Sequence, residues 1–443
     1  MQTAPKKVVN AWAMYDWANS VYNLVITTTF FPIYFMAVTK AAYGEDRVPL
    51  LGRSFKNSSL YDYSLGFAYL VIAILLPILS SIADSRGNKK SFMKFFCYLG
   101  GLSCCGLFFF KGEHPNVFLG ITCSVLAAIG YVGSLVFYNS YLPEIAAPED
   151  RDRISAKGFS MGYIGSVILQ AIGFGLVLYF ESKKDYSSGP LYTFLLVGIW
   201  WMGFAQITFA NVPSGIAAVE KHNTNIFTEG FKELSKVWQQ AKKLPVLKRF
   251  LFAFFFYSMG VQTVMLIATI FAMKIFHLTN TKLIVTVVLI QLVAIIGATL
   301  MSRLSAKFGN LRVLMSVVIL WIIICVATYV IGSMAEKGAN AEYGFYAVAT
   351  AIGLVMGGIQ SLSRSTYSKL MPETRDTASF FSFYDITEKV AIVIGMFSIG
   401  FIDEMLGMLN GVLSLTIFFC IGLIGLVIAS NKQRSLMQTH YSL

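Results

Sequence analysis

Ionisable and amide side chains sit inside otherwise apolar runs of this chain, and their spacing limits what they can do. Asp16, Asn19, Ser20, Asn23 and Thr27 recur at i, i+3, i+4, i+7 and i+11, which is one polar face of a helix. Such a face is costly against lipid, so it must meet protein or a wet crevice. Asp385, Glu388 and Lys389 fall in one later run. Asp385 and Lys389 have the i, i+4 spacing of an internal ion pair, with Arg364 as the nearest further partner. Gln360 and Arg364 share a helix face, and Tyr15, Tyr22, Tyr138, Asn139, Tyr257, Gln262, Thr263 and Ser361 complete the set. Tyr and Gln recognise polar solutes in an apolar surround, an Arg suits a carboxylate or phosphate, and an Asp in a crevice can exchange a proton. The competing readings are a structural hydrogen bond for Asp16, a static salt-bridge cluster around residue 385, and an Arg364 that only latches to Asp385 or Glu388.

Other chemistries find little support. The four histidines (His114, His222, His277, His440) lie outside the apolar runs, so neither a histidine proton relay nor an intramembrane metal site is expected. The six cysteines sit in apolar runs without a CxxC, the pattern of small buried hydrophobes. There is no GxxxxGK[ST] phosphate loop, so the chain does not drive transport with ATP by itself. No cofactor is expected.

The elements that must position these residues follow from composition. Of 443 residues 56% are hydrophobic and 13% charged, with a mean hydropathy of +0.65. A soluble surface needs about 25% charged residues. The chain is therefore a membrane protein. Twelve stretches reach the length of a membrane-spanning helix: roughly 12–36, 63–83, 92–110, 117–142, 158–180, 191–212, 250–273, 283–302, 313–335, 343–363, 378–402 and 405–430. Backbone groups in lipid must pair within their own segment, so these are helices. The start reads as an uncleaved first helix rather than a signal peptide.

The net charge of +12 needs no nucleic acid. With the N-terminus inside, the inner segments hold 24 Lys and Arg and the outer ones 10, which puts both termini in the cytoplasm. The polar segment 213–249 divides six stretches (1–212) from six (250–443). Within it Phe227, Phe231, Leu234 and Trp238 recur at helical spacing beside Lys232, Lys236, Lys242 and Lys243, the pattern of an amphipathic helix lying on the membrane surface or of a plain tether.

The halves echo one another. Ser80, Gly87, Asn88 and Lys90 recur as Ser302, Gly309, Asn310 and Arg312, at an offset of 222, and Leu142-Pro143-Glu144 as Met371-Pro372-Glu373. Two parallel six-helix repeats are the architecture of the major facilitator superfamily. The loop with Asp84, Gly87 and Lys89 resembles that superfamily's signature, in which a helix-end acid pairs with basic residues or a neighbouring helix N-terminus and latches one conformation. The implied gating latch comprises Asp84, Gly87, Lys89, Gly309 and Arg312.

More specific strings are Tyr15-Asp16-Trp17-Ala18-Asn19-Ser20, Phe30-Phe31-Pro32, Phe137-Tyr138-Asn139-Ser140-Tyr141-Leu142-Pro143, Tyr257 to Thr263, Gly357-Gly358 to Ser365, and Phe380 to Asp385 with Lys389. Together they resemble the vacuole-effluxer-like branch, related to autophagy-associated vacuolar amino-acid exporters and their bacterial relatives. One departure is Met259 before Gly260, where the branch carries an acid. The resemblance implies an all-α membrane protein of twelve helices in two six-helix bundles. It implies a non-enzymatic, monomeric secondary carrier of a small polar solute such as an amino acid, working by alternating access and coupled to protons, in a bacterial inner membrane. Substrate would meet Tyr15, Asp16, Asn19, Tyr22, Asn23, Tyr138, Asn139, Tyr257, Gln262, Thr263, Gln360 and Arg364. Asp16, Asp385, Glu388 and Lys389 would carry the proton or switch charge partners. An intramembrane enzyme, a channel, and a lipid or peptidoglycan-fragment flippase are the alternatives.

Overall fold

A computed structural model describes residues 2–44, 46–112, 115–214, 226–278 and 280–441. Long helices dominate it: α1 (Lys6–Tyr43), α2 (Asn57–Arg86), α3 (Lys89–Phe109), α4 (Val117–Ile145), α5 (Arg151–Ser182) and α6 (Ser188–Asn211). A connecting helix, α7 (Ile226–Lys243), leads to α8 (Pro245–Phe276), α9 (Asn280–Phe308), α10 (Asn310–Glu336), α11 (Glu342–Leu370), α12 (Thr377–Leu406) and α13 (Met408–Tyr441). Among the described residues eleven helices are long and apolar enough to cross a membrane. The helix α12 has the length, but Asp385, Glu388 and Lys389 set its composition apart. Large side chains such as Phe67, Leu70, Ile323, Phe397 and Phe401 stand exposed on the outside of the bundle, where acyl chains replace water.

Packing repeats itself across the two halves. The fifth helix of the first half, α5, packs on α9 and α11 of the second. The fifth helix of the second half, α12, packs on α2 and α4 of the first. Small residues permit the close approaches: a Cβ at Gly158 of α5 would lie 2.9 Å from the Tyr138 hydroxyl and 3.0 Å from Arg364 Nη2.

Three features depart from the sequence reading. First, the polar face of α1 does not run straight. Tyr22–Phe30 is π-helical, and the Phe31 N–H reaches back five residues to the Ile26 carbonyl. A π turn rotates the residues that follow it relative to a 3.6-residue period, so Thr27 drops off the face that Asp16 begins. Second, the chain is not purely helical. Arg47–Leu50 pairs antiparallel with Arg53–Lys56 around Leu51 and Gly52, both at positive φ (50° and 76°), the backbone of a tight hairpin turn. Third, α7 does not simply lie on a membrane surface. It packs on α2, α8 and α12, with Val237 and Ala241 buried and the Trp238 ring stacked on Phe383 at 5.7 Å. Lys236 reaches Asp376 at 3.6 Å. Burial acts to lower the Lys236 ammonium, and the carboxylates of Glu233 and Asp376 outweigh it and raise it. The side chains of Phe227, Phe231 and Leu234 lie outside the described residues, as do His114 and His222.

Candidate functional site

A cavity of about 160 Å³ lies where α1, α4, α8, α11 and α12 converge, with α2 and α5 closing its sides. Asp16 and Asn23 reach it from α1, Asn139 from α4, Tyr257 and Gln262 from α8, Gln360 and Arg364 from α11, and Asp385, Glu388 and Lys389 from α12. Ten of the sequence candidates thus share one space. Five do not line it. Tyr15 is fully buried against the Tyr138 ring at 5.2 Å, Tyr22 packs on Tyr131 at 5.3 Å, and Asn19 and Thr263 are buried without a hydrogen-bond partner among the described residues. Tyr138 sits behind the wall, where its hydroxyl donates to Asp16 Oδ2 at 2.7 Å.

Charge pairing differs from what the spacing suggests. Arg364 latches to neither Asp385 nor Glu388. It crosses the seam to Asp16, with both Nη atoms 3.3 Å from Oδ2. Its Nη1 also donates to Asn139 Oδ1 at 3.1 Å, its Nε to Ser155 Oγ at 3.0 Å and its Nη2 to the Ser155 carbonyl at 2.9 Å. These contacts occupy all five guanidinium donors. The guanidinium also lies over the Phe159 ring at 4.3 Å and the Trp12 ring at 5.0 Å. Arg364 is 3% exposed, so this cage is complete and leaves no donor for a solute carboxylate.

On α12 the i, i+4 ion pair does not form. Lys389 Nζ pairs instead with its neighbour Glu388, at 3.1 Å from Oε2, and lies 5.6 Å above the Tyr69 ring. Gln262 Nε2 donates to Glu388 Oε1 at 2.8 Å. Asp385 lines the cavity at 4% exposure with neither a hydrogen bond nor an ion pair among the described residues. Gln360 accepts from the Tyr163 hydroxyl at 3.0 Å, and Tyr257 shares a hydrogen bond with Ser363 at 2.7 Å.

Sequence reasoning missed much of the lining, Tyr69, Tyr131, Phe159, Tyr163 and Tyr384, and it missed Ser155, which holds Arg364. No charge or polar periodicity marks them, because a tyrosine in an apolar run reads as core. The only available signal was Gly158, Gly162 and Gly165, which mark α5 as closely approached. The string Gly158-Phe159-Ser160-Met161-Gly162 has the spacing of a nucleophile elbow, but it lies within α5 rather than in a strand-to-helix turn.

The gating candidates gather at the end of the bundle that carries the basic loops. Asp84 accepts from the N–H groups of Ala378 (3.2 Å) and Ser379 (2.8 Å) and from the Ser379 hydroxyl (2.8 Å), so it caps the N-terminus of α12. Lys89 pairs with Asp84 at 3.1 Å and with Glu144, and donates to Thr377. In the second cluster, Asp152 on the first turn of α5 accepts from three second-half donors, Ser305 Oγ (2.7 Å), Asn310 Nδ2 (2.7 Å) and Lys369 Nζ (2.7 Å). Gly87 and Gly309 end α2 and α9 at φ 64° and 89°. Arg312 is a correction: it is exposed and belongs to neither cluster, its place being taken by Asn310 and Lys369. Nearby, hydrogen bonds from Thr3 and Arg153 hold the Asp150 carboxyl below the usual carboxylate range.

A helical bundle of this kind, with a buried polar cavity between two repeated halves, is a membrane transporter of the major facilitator type. Solved structures agree on the fold. The proton:xylose symporter XylE superposes with a TM-score of 0.70 at 12% identity, covering 96% of this chain and 95% of that one. A bacterial homologue of the iron transporter ferroportin in its outward-facing state does so with a TM-score of 0.67 at 12% identity, covering 96% and 98%. The chain belongs to the Atg22-like vacuole effluxer family, whose profile matches residues 4–440. It is 30% identical to an uncharacterized MFS-type transporter, YxiO, of Bacillus subtilis (strain 168) over 423 residues, 94% of each chain. It is 25% identical over 450 residues to autophagy-related protein 22 of Eremothecium gossypii, covering 91% of this chain and 86% of that one.

Proposed function

We propose that this protein is a secondary carrier that moves a small polar solute, an amino acid or a close relative, by alternating access. The observation that carries this reading is the convergence of Asp16, Asn139, Gln262 and Gln360, from four helices of both halves, on one buried cavity. Residues 1–212 and 250–443 act as the two rocking bundles, joined by 213–249. The clusters around Asp84 and Asp152 hold the basic ends of the bundles together, and their release opens that side. The basic face is cytoplasmic, with both termini there, in a bacterial inner membrane, and the carrier works as a monomer.

Asp16 is the proton site. Protonation would weaken its pairing with Arg364 and loosen the seam between α1 and α11. The test is uptake and counterflow in proteoliposomes. Saturable counterflow marks a carrier, a non-saturating flux marks a channel, and a mass shift of the solute marks an enzyme. Asp16→Asn should abolish the pH dependence of uptake; a pH dependence that persists removes the proton role.

A further inference from the structure

Two of the three carboxylates in the cavity are matched by a cation. Asp16 is held by Arg364 and Glu388 by Lys389, at 3.3 and 3.1 Å. Asp385 is left over. It is 4% exposed, lines the cavity, and makes no hydrogen bond and no ion pair within 4.0 Å among the described residues; the charges of Lys389 and Arg364 act on it only from farther off, each already in contact with another carboxylate. A buried acid without a cation in contact is expensive, so its place on a cavity wall suits a cationic group supplied from outside the protein. The one guanidinium in the cavity has spent all five donors on Asp16, Asn139 and Ser155. A carboxylate brought near Lys389 would also meet Glu388, which already shares that ammonium. The remaining wall includes the tyrosines Tyr69, Tyr131 and Tyr384, whose ring faces attract cations and not anions.

We infer that this cavity recognises its solute by an ammonium group seated on Asp385, so that the amine is obligatory and the carboxylate dispensable. This rests on the carrier reading above and narrows the solute to primary amines and amine-bearing zwitterions. Neutral sugars and carboxylic acids without an amine are excluded.

The test uses the purified full-length chain. Thermal shift is measured with each of the twenty amino acids, the amine left when each loses its carboxylate, and its N-acetyl derivative. Counterflow in proteoliposomes is run on the same panel plus a set of sugars and amine-free carboxylates. The expected result is that at least one amino acid binds and is carried, that its decarboxylated amine binds within a few-fold, and that its N-acetyl derivative binds at least about tenfold more weakly, the loss expected for one charge-assisted contact. Asp385→Asn should weaken the amine by a similar factor while leaving the melting temperature of the unliganded protein nearly unchanged, because no hydrogen bond or close ion pair is lost. Glu388→Gln, by contrast, breaks a formed ion pair and should lower it. If an N-acetyl derivative, a sugar or an amine-free acid is carried and no amine is, the carrier reading stands and this inference falls. An Asp385→Asn variant that binds the amine as tightly as the parent also overturns it. If nothing on the panel is carried, both fall.

Discussion

The two clusters at the basic end of the bundle are built around one repeated loop sequence, yet the first carries its acid at the loop and the second carries it on the fifth helix that the loop meets. In the first, the α2–α3 loop supplies Asp84 and α12 supplies donors: the backbone N–H groups of Ala378 and Ser379 and the Ser379 hydroxyl. In the second, the residue at the same offset is Ala306, which is exposed, and the α9–α10 loop donates through Ser305 and Asn310 to Asp152 on α5. Each cluster ties a loop to the fifth helix of the other half. The first keeps its lysine drier: the Lys89 side chain is 2% exposed and Lys369 of the second is 24% exposed, while Asp84 and Asp152 are equally buried at 3%. A duplicated scaffold thus preserves where the halves are tied while leaving free whether the loop or the fifth helix carries the acid; in both clusters the first half supplies it. What the position requires is an acid facing a set of donors, whichever helix provides it.

That difference in dryness orders the expected effects. Asp84→Ala strips a buried lysine of one of its two carboxylates and uncaps α12, and should cost about 3–5 kcal/mol, read as a lower melting temperature in detergent. Equal melting for Asp84→Ala and Lys369→Ala would break the comparison. Next comes Gly309→Ala. Its φ of 89° and ψ of 146° fall in a region that residues with a Cβ hardly enter, so a loss of about 1–3 kcal/mol is expected. Gly87, at φ 64° and ψ 26°, takes the commoner left-handed conformation, and Gly87→Ala should cost about 1–2 kcal/mol. Lys369→Ala removes one of three donors to Asp152 from a site that water can reach, for about 1–2 kcal/mol in the same assay. Arg312→Ala should change stability by less than about 0.5 kcal/mol, since Arg312 is exposed and outside both clusters. A large effect there would return it to the latch.

The cavity shows how far residue spacing reaches. The neighbourhood of Asp16 was legible, because Ser20 and Asn23 follow it at helical spacing and all three line the same space. Thr27 was misplaced by the π turn, which leaves no mark in the pattern of polar residues. The partners of the charges were not legible. Spacing nominated Lys389 for Asp385, yet Lys389 turns to Glu388, and Arg364 finds Asp16 across 348 residues of chain. The linker was half legible: its amphipathic spacing was plain, but whether its apolar side met lipid or protein depended on Phe383 standing beneath Trp238.

The sequence by itself determined that this chain lives in a membrane, that long helices dominate it in two echoing sets, and which few polar residues are carried into the apolar interior. Those facts follow from the cost of burying charge and unpaired backbone, which acts on every residue locally. Only the tertiary structure decided which carboxylate touches which cation, which tyrosines close the cavity, and that Asp385 is left without a contacting cation. Ion pairing acts over a few ångströms, and those distances are set by how α1, α5, α11 and α12 pack together, not by their separation along the chain.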